Sequence, residues 1–250
     1  MSFCDLHWFS NVLGKAVNTW VLLPDTDVKG PYPVFYLLHG LSDDNTIWMR
    51  RTRIECYVAG LPLIVVMPDG GRGFYTDHAQ GPHWGEHIAK ELPDFIEKTF
   101  HARTDGNGRA IGGLSMGGYG ALHTAFAFPE TFSGCVALSS ALRIHHFAAG
   151  SNDGIMPTAM LKNVFGDLET LETSDKNPEV QVRQLKAAGK PLPKLYLACG
   201  TEDGLIEANR EFDAFLTKEG VAHTFEEAPG KHNWTFWNRH LPKGLEAILE

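Results

Sequence analysis

An α/β fold with a mostly parallel central sheet and helices on both faces is what this chain predicts, on three observations. Residues 34–38 and 63–67 are apolar at every position. A strand without alternation is covered on both sides, as in a parallel sheet between two helix layers. Short β-rich runs alternate with longer amphipathic ones, the order that strands joined by crossover helices require. A serine between glycines also stands directly between one such run and a helical pattern.

The expected strands are residues 19–23, 34–38, 63–67, 109–114, 134–139, 194–199 and 224–227. Between them, Ile88, Leu92, Phe95, Ile96 and Phe100 recur at three- and four-residue spacing, so 87–100 reads as a helix with one buried face. Residues 119–128 form a second, stopped at Pro129. Residues 206–219 form a third, with Phe212, Phe215 and Leu216 inward and Gly220 as its C-cap. The last is expected at 242–249. Residues 141–189 break this rhythm and hold only short helical patterns, 158–165 and 178–188. They read equally as a small cap or lid inserted over one end of the sheet and as a crossover helix with long loops. No internal repeat or linker divides the chain, so residues 1–250 are expected to be one domain.

Composition narrows the function classes. The chain has 250 residues, 43% of them hydrophobic and 21% charged, a globular balance that excludes intrinsic disorder. Twenty-two Lys and Arg against 30 Asp and Glu leave a formal charge of −8. The densest basic cluster, Arg50, Arg51 and Arg53, is too short to track phosphates, so no nucleic-acid partner is expected. No apolar run is long enough to span a bilayer, so no membrane partner is expected either. No basic segment followed by an apolar run opens the chain, so a cytoplasmic location is expected. Cys4, Cys56, Cys135 and Cys199 lie far apart, as free thiols in a reducing compartment do.

The chemistry is concentrated in four segments. Gly113-Leu114-Ser115-Met116-Gly117 fits G-x-S-x-G, preceded by the strand residues Ala110-Ile111-Gly112 and followed by a small-residue-rich helix. That is the setting of a nucleophile elbow, in which glycines allow a turn too tight for side chains and the serine is left exposed at the sheet's carboxyl edge. The Met116 amide points to the same spot from a helix N-terminus. A serine hydroxyl needs a base. In this arrangement the acid and then the histidine follow the serine along the chain. Thr201-Glu202-Asp203 follows the strand at 194–199, and Pro229-Gly230-Lys231-His232 follows the strand at 224–227. Asp203 is favoured over Glu202 because it stands nearer the loop apex. His232 is favoured over His223, which starts a strand, and His240, which precedes the last helix. His39-Gly40-Leu41 follows the strand at 34–38, and the Leu41 amide is the second candidate oxyanion donor. His39 fits a structural role, bonding loop backbone.

His39-Gly40-Leu41-Ser42-Asp43, Gly113-Leu114-Ser115-Met116-Gly117-Gly118-Tyr119-Gly120, Cys199-Gly200-Thr201-Glu202-Asp203 and Gly230-Lys231-His232-Asn233-Trp234 together resemble the esterase D-like branch of the α/β-hydrolases. That group includes tributyrin esterases, feruloyl and acetylxylan esterases of carbohydrate esterase family 1, S-formylglutathione hydrolases and mycolyltransferases. The resemblance runs from about residue 19 to the C-terminus. It implies an α/β-hydrolase fold, with Ser115 as nucleophile, Asp203 as acid, His232 as base, and Leu41 and Met116 as oxyanion donors. The stretch from Ile64 to Asp77 looks closest to the short tributyrin-esterase type, whereas S-formylglutathione hydrolases usually carry a longer segment there.

The resemblance implies a serine carboxylesterase for short-chain acyl esters, acetyl or feruloyl esters of carbohydrates among them. An S-formylglutathione hydrolase or acyltransferase on the same triad is the alternative. The expected partner is a small-molecule or oligosaccharide ester, with no cofactor and no metal; a homo-oligomer stays open. Trp48, Tyr75 and Trp234 are candidate substrate-binding residues, and Trp84 and Trp237 are weaker ones. Tyr75 and Asp77 are candidates for supporting the site from behind. His83 and His87 have a metal-like spacing but no third ligand pattern. Because His232 must be neutral to take a proton, activity is expected to fall as pH drops through the ordinary imidazole value of about 6.5.

Overall fold

Alternating side chains on each central strand are divided between two apolar layers, and this division places the helices. In the computed structural model, which describes residues 1–144 and 156–249, Val34, Tyr36 and Leu38 join one layer, while Phe35 and Leu37 join the other. The strands are β1 (Ser2–Ser10), β2 (Lys15–Leu23), β3 (Val34–Leu38), β4 (Ile64–Pro68), β5 (Arg109–Leu114), β6 (Gly134–Leu138), β7 (Lys194–Gly200) and β8 (Thr224–Ala228). They form one sheet in the order β1-β2-β4-β3-β5-β6-β7-β8. From β4 to β8 every pairing is parallel, and every residue of β3, β4 and β6 is buried. β1 and β2 make an antiparallel hairpin that joins β4 antiparallel.

The first layer packs under three helical elements. One runs from Trp84–Glu86 through a π turn at His87–Glu91 into Leu92–Thr99. The others are Met116–Ala127 and Ile206–Lys218. Ile88, Leu92 and Ile96, then Leu122 and Phe126, then Phe212 and Leu216 supply their buried side chains. The second layer packs under two short helices, Ile47–Arg51 and Ile54–Tyr57, and the C-terminal helix Trp234–Leu249. Burying one large apolar side chain contributes about 1.5–3 kcal/mol, so both layers are needed to offset the chain's ordering.

The structure departs from the sequence reading in three places. β1 was not expected; its burial alternates along an exposed edge, and its Phe3 and Phe9 face solvent. The C-terminal helix starts at Trp234, not at residue 242, and carries Pro242 in its interior. One proline costs one backbone bond and some strain, and the flanking Leu241 and Leu245 are buried enough to hold the helix together. The helices Ile47–Arg51 and Ile54–Tyr57 add to the expected elements; at five and four residues they are too short to show a periodic pattern.

In the 141–189 segment, Pro178–Ala187 is a helix capped by Asn177, and it packs on Met116–Ala127 between β6 and β7. Its Gln181 brackets His123: Nε2 donates to the His123 carbonyl at 3.2 Å, and Oε1 meets His123 Nδ1 at 3.2 Å. Thr158–Phe165 places Phe165 against Phe74 and Tyr119. Part of the expected cap, residues 145–155, lies outside the described residues. No helix among the described residues is long and apolar enough to cross a membrane.

β3 has β4 on one side and β5 on the other, so strand order changes direction there. In open α/β sheets, ligands bind beyond the carboxyl ends of the strands at such a switch point. The loops carrying Leu41 and Ser115 both leave the sheet at this place.

Candidate active site

Ser115 sits in backbone geometry that glycine favours, with φ 55° and ψ −115°. A strained residue held by its surroundings is what a nucleophile elbow requires. The neighbours explain how it is held. A Cβ on Gly113 would stand 2.6 Å from the Gly117 backbone, and one on Gly117 would stand 2.6 Å from both the Leu38 and His39 carbonyl oxygens. The Ser115 amide donates to the Leu138 carbonyl at 2.9 Å, and the Ala141 amide donates to the Ser115 carbonyl at 3.0 Å, tying the turn to the end of β6.

Three side chains converge here from three loops. Ser115 Oγ lies 3.0 Å from His232 Nε2. His232 Nδ1 lies 2.9 Å and 3.1 Å from the two carboxylate oxygens of Asp203. Asp203 is buried, and burial alone would raise its carboxyl. Hydrogen bonds from His232 and the Leu205 amide outweigh that and hold it below the ordinary carboxylate value. The loops of Asp203 and His232 are fastened together: the Glu202 amide donates to the Gly230 carbonyl at 2.9 Å, and the Gly230 amide donates to the Glu202 carboxylate at 2.6 Å. Glu202 is an exposed staple between loops, which explains why the adjacent aspartate is the one that reaches the imidazole.

Behind Leu41, His39 is fully buried, its Nδ1 2.8 Å from the Gly40 carbonyl. The Gly70 amide donates to His39 Nε2 at 2.9 Å, so the proton sits on Nδ1 and both ring nitrogens meet loop backbone, with the Asp69 carboxylate 3.4 Å from Nε2. Neither the Leu41 nor the Met116 amide is engaged by an acceptor among the described residues. Beside these groups lies a cavity of about 610 Å³.

A family model described as "Putative esterase" matches residues 10–248. The chain belongs to this esterase family. An acetyl esterase from Caldicellulosiruptor saccharolyticus is 34% identical over 260 residues, covering 98% of this chain and 97% of its own. Fluorophosphonate-binding serine hydrolase F of Staphylococcus aureus superposes with a TM-score of 0.92 at 26% identity, covering 100% of this chain and 98% of that one. An S-formylglutathione hydrolase of the same organism superposes with a TM-score of 0.89 at 26% identity, covering 100% and 99%. The protein is accordingly a carboxylic ester hydrolase with the α/β-hydrolase fold.

The esterase's cavity departs from the sequence reading in its aromatic lining. Trp234 lines it, as does Trp237, whose ring meets the His232 imidazole. Trp48 and Tyr75 do not: both are completely buried. Trp48 donates to the Leu38 carbonyl at 3.0 Å and stands edge-on behind Trp234, 5.2 Å between centroids. Tyr75 donates to the His39 carbonyl at 3.0 Å and so supports the Leu41 loop from below. Trp84 packs against His87, away from the cavity. Phe74, Met156, Leu205, Asn233 and Asp43 also line the cavity; sequence alone assigns none of them a site role, although Asp43 and Asn233 fall inside the motifs quoted for the family resemblance. Phe74 and Leu205 adjoin Tyr75 and Asp203 in the chain, and that adjacency was the one signal available.

The other histidines are occupied elsewhere. His87 is buried with Nδ1 2.7 Å from Glu91, and Asp77 accepts the Glu86 amide at 3.0 Å. His223 pairs with Asp213 at 2.8 Å, and His240 is buried beneath Phe236. No group of three metal-binding side chains occurs among the described residues. All four cysteines are free, and burial pushes the Cys199 thiol up to about 12.

Proposed function

We propose that the esterase hydrolyses short-chain acyl esters through an acyl-enzyme on Ser115, with His232 as general base and Asp203 as the acid that orients it. The observation that carries this reading is the continuous contact from Ser115 Oγ through both imidazole nitrogens to the Asp203 carboxylate. As Ser115 attacks the ester carbonyl, His232 Nε2 takes its proton and Asp203 stabilises the imidazolium. The Leu41 and Met116 amides hold the oxyanion, and each such donor supplies about a hundredfold or more in rate. His232 then protonates the leaving alcohol, and water repeats the sequence to release the acid. The steps use only side chains and amides of this chain.

A mainly apolar cavity of about 610 Å³ suits a small acyl group and a modest alcohol. The acetyl esterase relative favours an acetyl group. Acetyl and feruloyl esters of carbohydrates are the natural substrates this reading suggests. Thioester hydrolysis is the second reading, favoured by the likeness to an S-formylglutathione hydrolase.

Initial rates on p-nitrophenyl acetate, butyrate and octanoate, methyl ferulate, acetylated xylo-oligosaccharide and S-formylglutathione test both, with Ser115→Ala as the blank. Acetate or butyrate should lead the oxygen esters, and Ser115→Ala should remove turnover. A dominant S-formylglutathione rate would replace the first reading with the second. Full activity in Ser115→Ala would remove Ser115 from the mechanism.

A further inference from the structure

Among the described residues, the lining of the cavity beside Ser115 holds carboxylates and no basic side chain other than His232. Two carboxylates, Asp43 and Asp203, border it, and no lysine or arginine does among the described residues. Asp203 is engaged by His232. The Asp43 carboxylate takes no hydrogen bond or ion pair from another side chain among the described residues; the one group bonded to it is the Gly40 amide. It stands close over the oxyanion loop, since a Cβ placed on Gly40 would be 3.3 Å from Asp43 Oδ2. Arg72 holds Ser42 Oγ at 2.7 Å, while Arg51, exposed on the helix that follows, and the buried His39 act on the Asp43 carboxyl electrostatically without a hydrogen bond to it. The neighbouring Asp44 is spent on Thr46.

Exposure divides the groups that line the cavity. Phe74, Met116 and Trp237 are buried walls of the cavity. Asp43, Leu205 and Asn233 line it while at least partly exposed, and a leaving alcohol has to depart toward solvent, so we pair the alcohol with these exposed groups.

Resting on the function proposed above, we infer that Asp43 sets the charge selectivity for the alcohol: neutral hydroxylated or cationic alcohols are accepted, and anionic ones such as the glutathione thiol are turned away. A carboxylate with only one backbone amide bonded to it also offers acceptors to alcohol hydroxyls, which apolar neighbours would not. A like charge about 8 Å from Asp43, at an effective dielectric of about 20–40, lowers kcat/KM by about five- to thirtyfold.

Three phenyl acetates whose leaving groups carry different charges provide the test: 4-acetoxybenzoate, its methyl ester and 4-acetoxyphenyltrimethylammonium. Their kcat/KM values are measured at pH 8 for the wild type and Asp43→Asn. Comparing ratios between the two proteins cancels the intrinsic reactivity of each ester. The neutral-to-anionic ratio should shrink by about five- to thirtyfold in Asp43→Asn, and the cationic-to-neutral ratio should shrink with it. Raising the ionic strength from about 0.02 to 0.5 M should narrow the wild-type ratios and leave those of the variant nearly unchanged. Ratios equal within about twofold in the two proteins would overturn the inference, as would wild-type preference for S-formylglutathione over its dimethyl ester. Asp43→Ser, with thermal melting as a folding check, repeats the comparison if the Asn variant is unstable. Absence of any Ser115-dependent turnover of the neutral ester would instead overturn the functional reading beneath it.

Discussion

Trp237 meets His232 edge to face, with ring centroids 4.9 Å apart and an 89° angle between the planes, and donates its indole N–H to Ser139 Oγ at 3.0 Å. The imidazole is therefore steered twice, by the Asp203 carboxylate at Nδ1 and by an aromatic wall that is itself hydrogen-bonded in place. Ser139 has a positive φ of 45°, and its amide is fixed on the Ala198 carbonyl at 2.7 Å, so the anchor of that wall is rigid.

Trp237→Phe should keep most of the wall and lose its anchor. About 1 kcal/mol of stability should go with the hydrogen bond, and kcat should fall by about three- to tenfold with little change in KM. Trp237→Ala should cost about 3–5 kcal/mol by leaving a cavity. Urea unfolding and steady-state kinetics read both. Unchanged kcat in Trp237→Phe would mean that Asp203 alone orients the ring.

Gly117→Ala probes the elbow. Its methyl group would press on two backbone carbonyls at 2.6 Å, and no rotamer change relieves a backbone contact. The turn must shift away from Leu41, so kcat/KM on p-nitrophenyl acetate should fall by about a hundredfold or more. A rate near that of the wild type would show that the end of β3 can yield.

Asp203→Asn and Glu202→Gln separate the acid from its neighbour. The amide should present the wrong hydrogen-bonding group to His232 and lower kcat by about 10³–10⁴-fold. Glu202→Gln keeps an acceptor for the Gly230 amide, so the larger loss must fall on Asp203. Reversal of that order would transfer the acid role to Glu202.

Acid should weaken the fold through His123. Burial lowers its imidazole to about 4, against the ordinary 6.5. Between those values the unfolded chain binds a proton that the folded chain refuses. Stability from this group is therefore complete above pH 6.5 and lost as the pH falls toward 4. Going from pH 7.5 to 4.5 should cost about 2–3 kcal/mol from this group alone. Burial lowers His87 and His240 as well, and both add in the same direction. In urea melts at the two pH values, His123→Gln should show a smaller loss than the wild type; equal losses would place the acid sensitivity elsewhere.

The parallel part of the sheet could be read from the chain because strands such as 34–38 are apolar throughout, and few other structures need that. The Ser115 segment could be read because a turn with no room for side chains leaves glycines at fixed spacing. β1 could not, since one edge strand facing water has no run of apolar residues to announce it. Trp48 and Trp237 expose a different limit. Both are tryptophans near the carboxyl edge, yet one donates to a strand carbonyl within the core and the other borders the cavity. Which way an indole faces is decided by helix packing, not by its neighbours in sequence. Asp43 stayed inconspicuous for a similar reason, because a loop carboxylate becomes notable only when the groups around it prove to be apolar.

Every residue from Met116 to Phe126 is buried, so the helix behind Ser115 has no free face. Its length is held between the sheet and the Pro178–Ala187 helix. A lineage exploring new substrates can alter almost nothing there without losing the fold. Evolvability is left to the loops that border the cavity: the loop after β3 and the turns carrying Asp203 and His232. Random libraries confined to those loops should yield changed selectivity at far higher frequency than libraries in the helix, where variants should mostly fail to accumulate as folded protein.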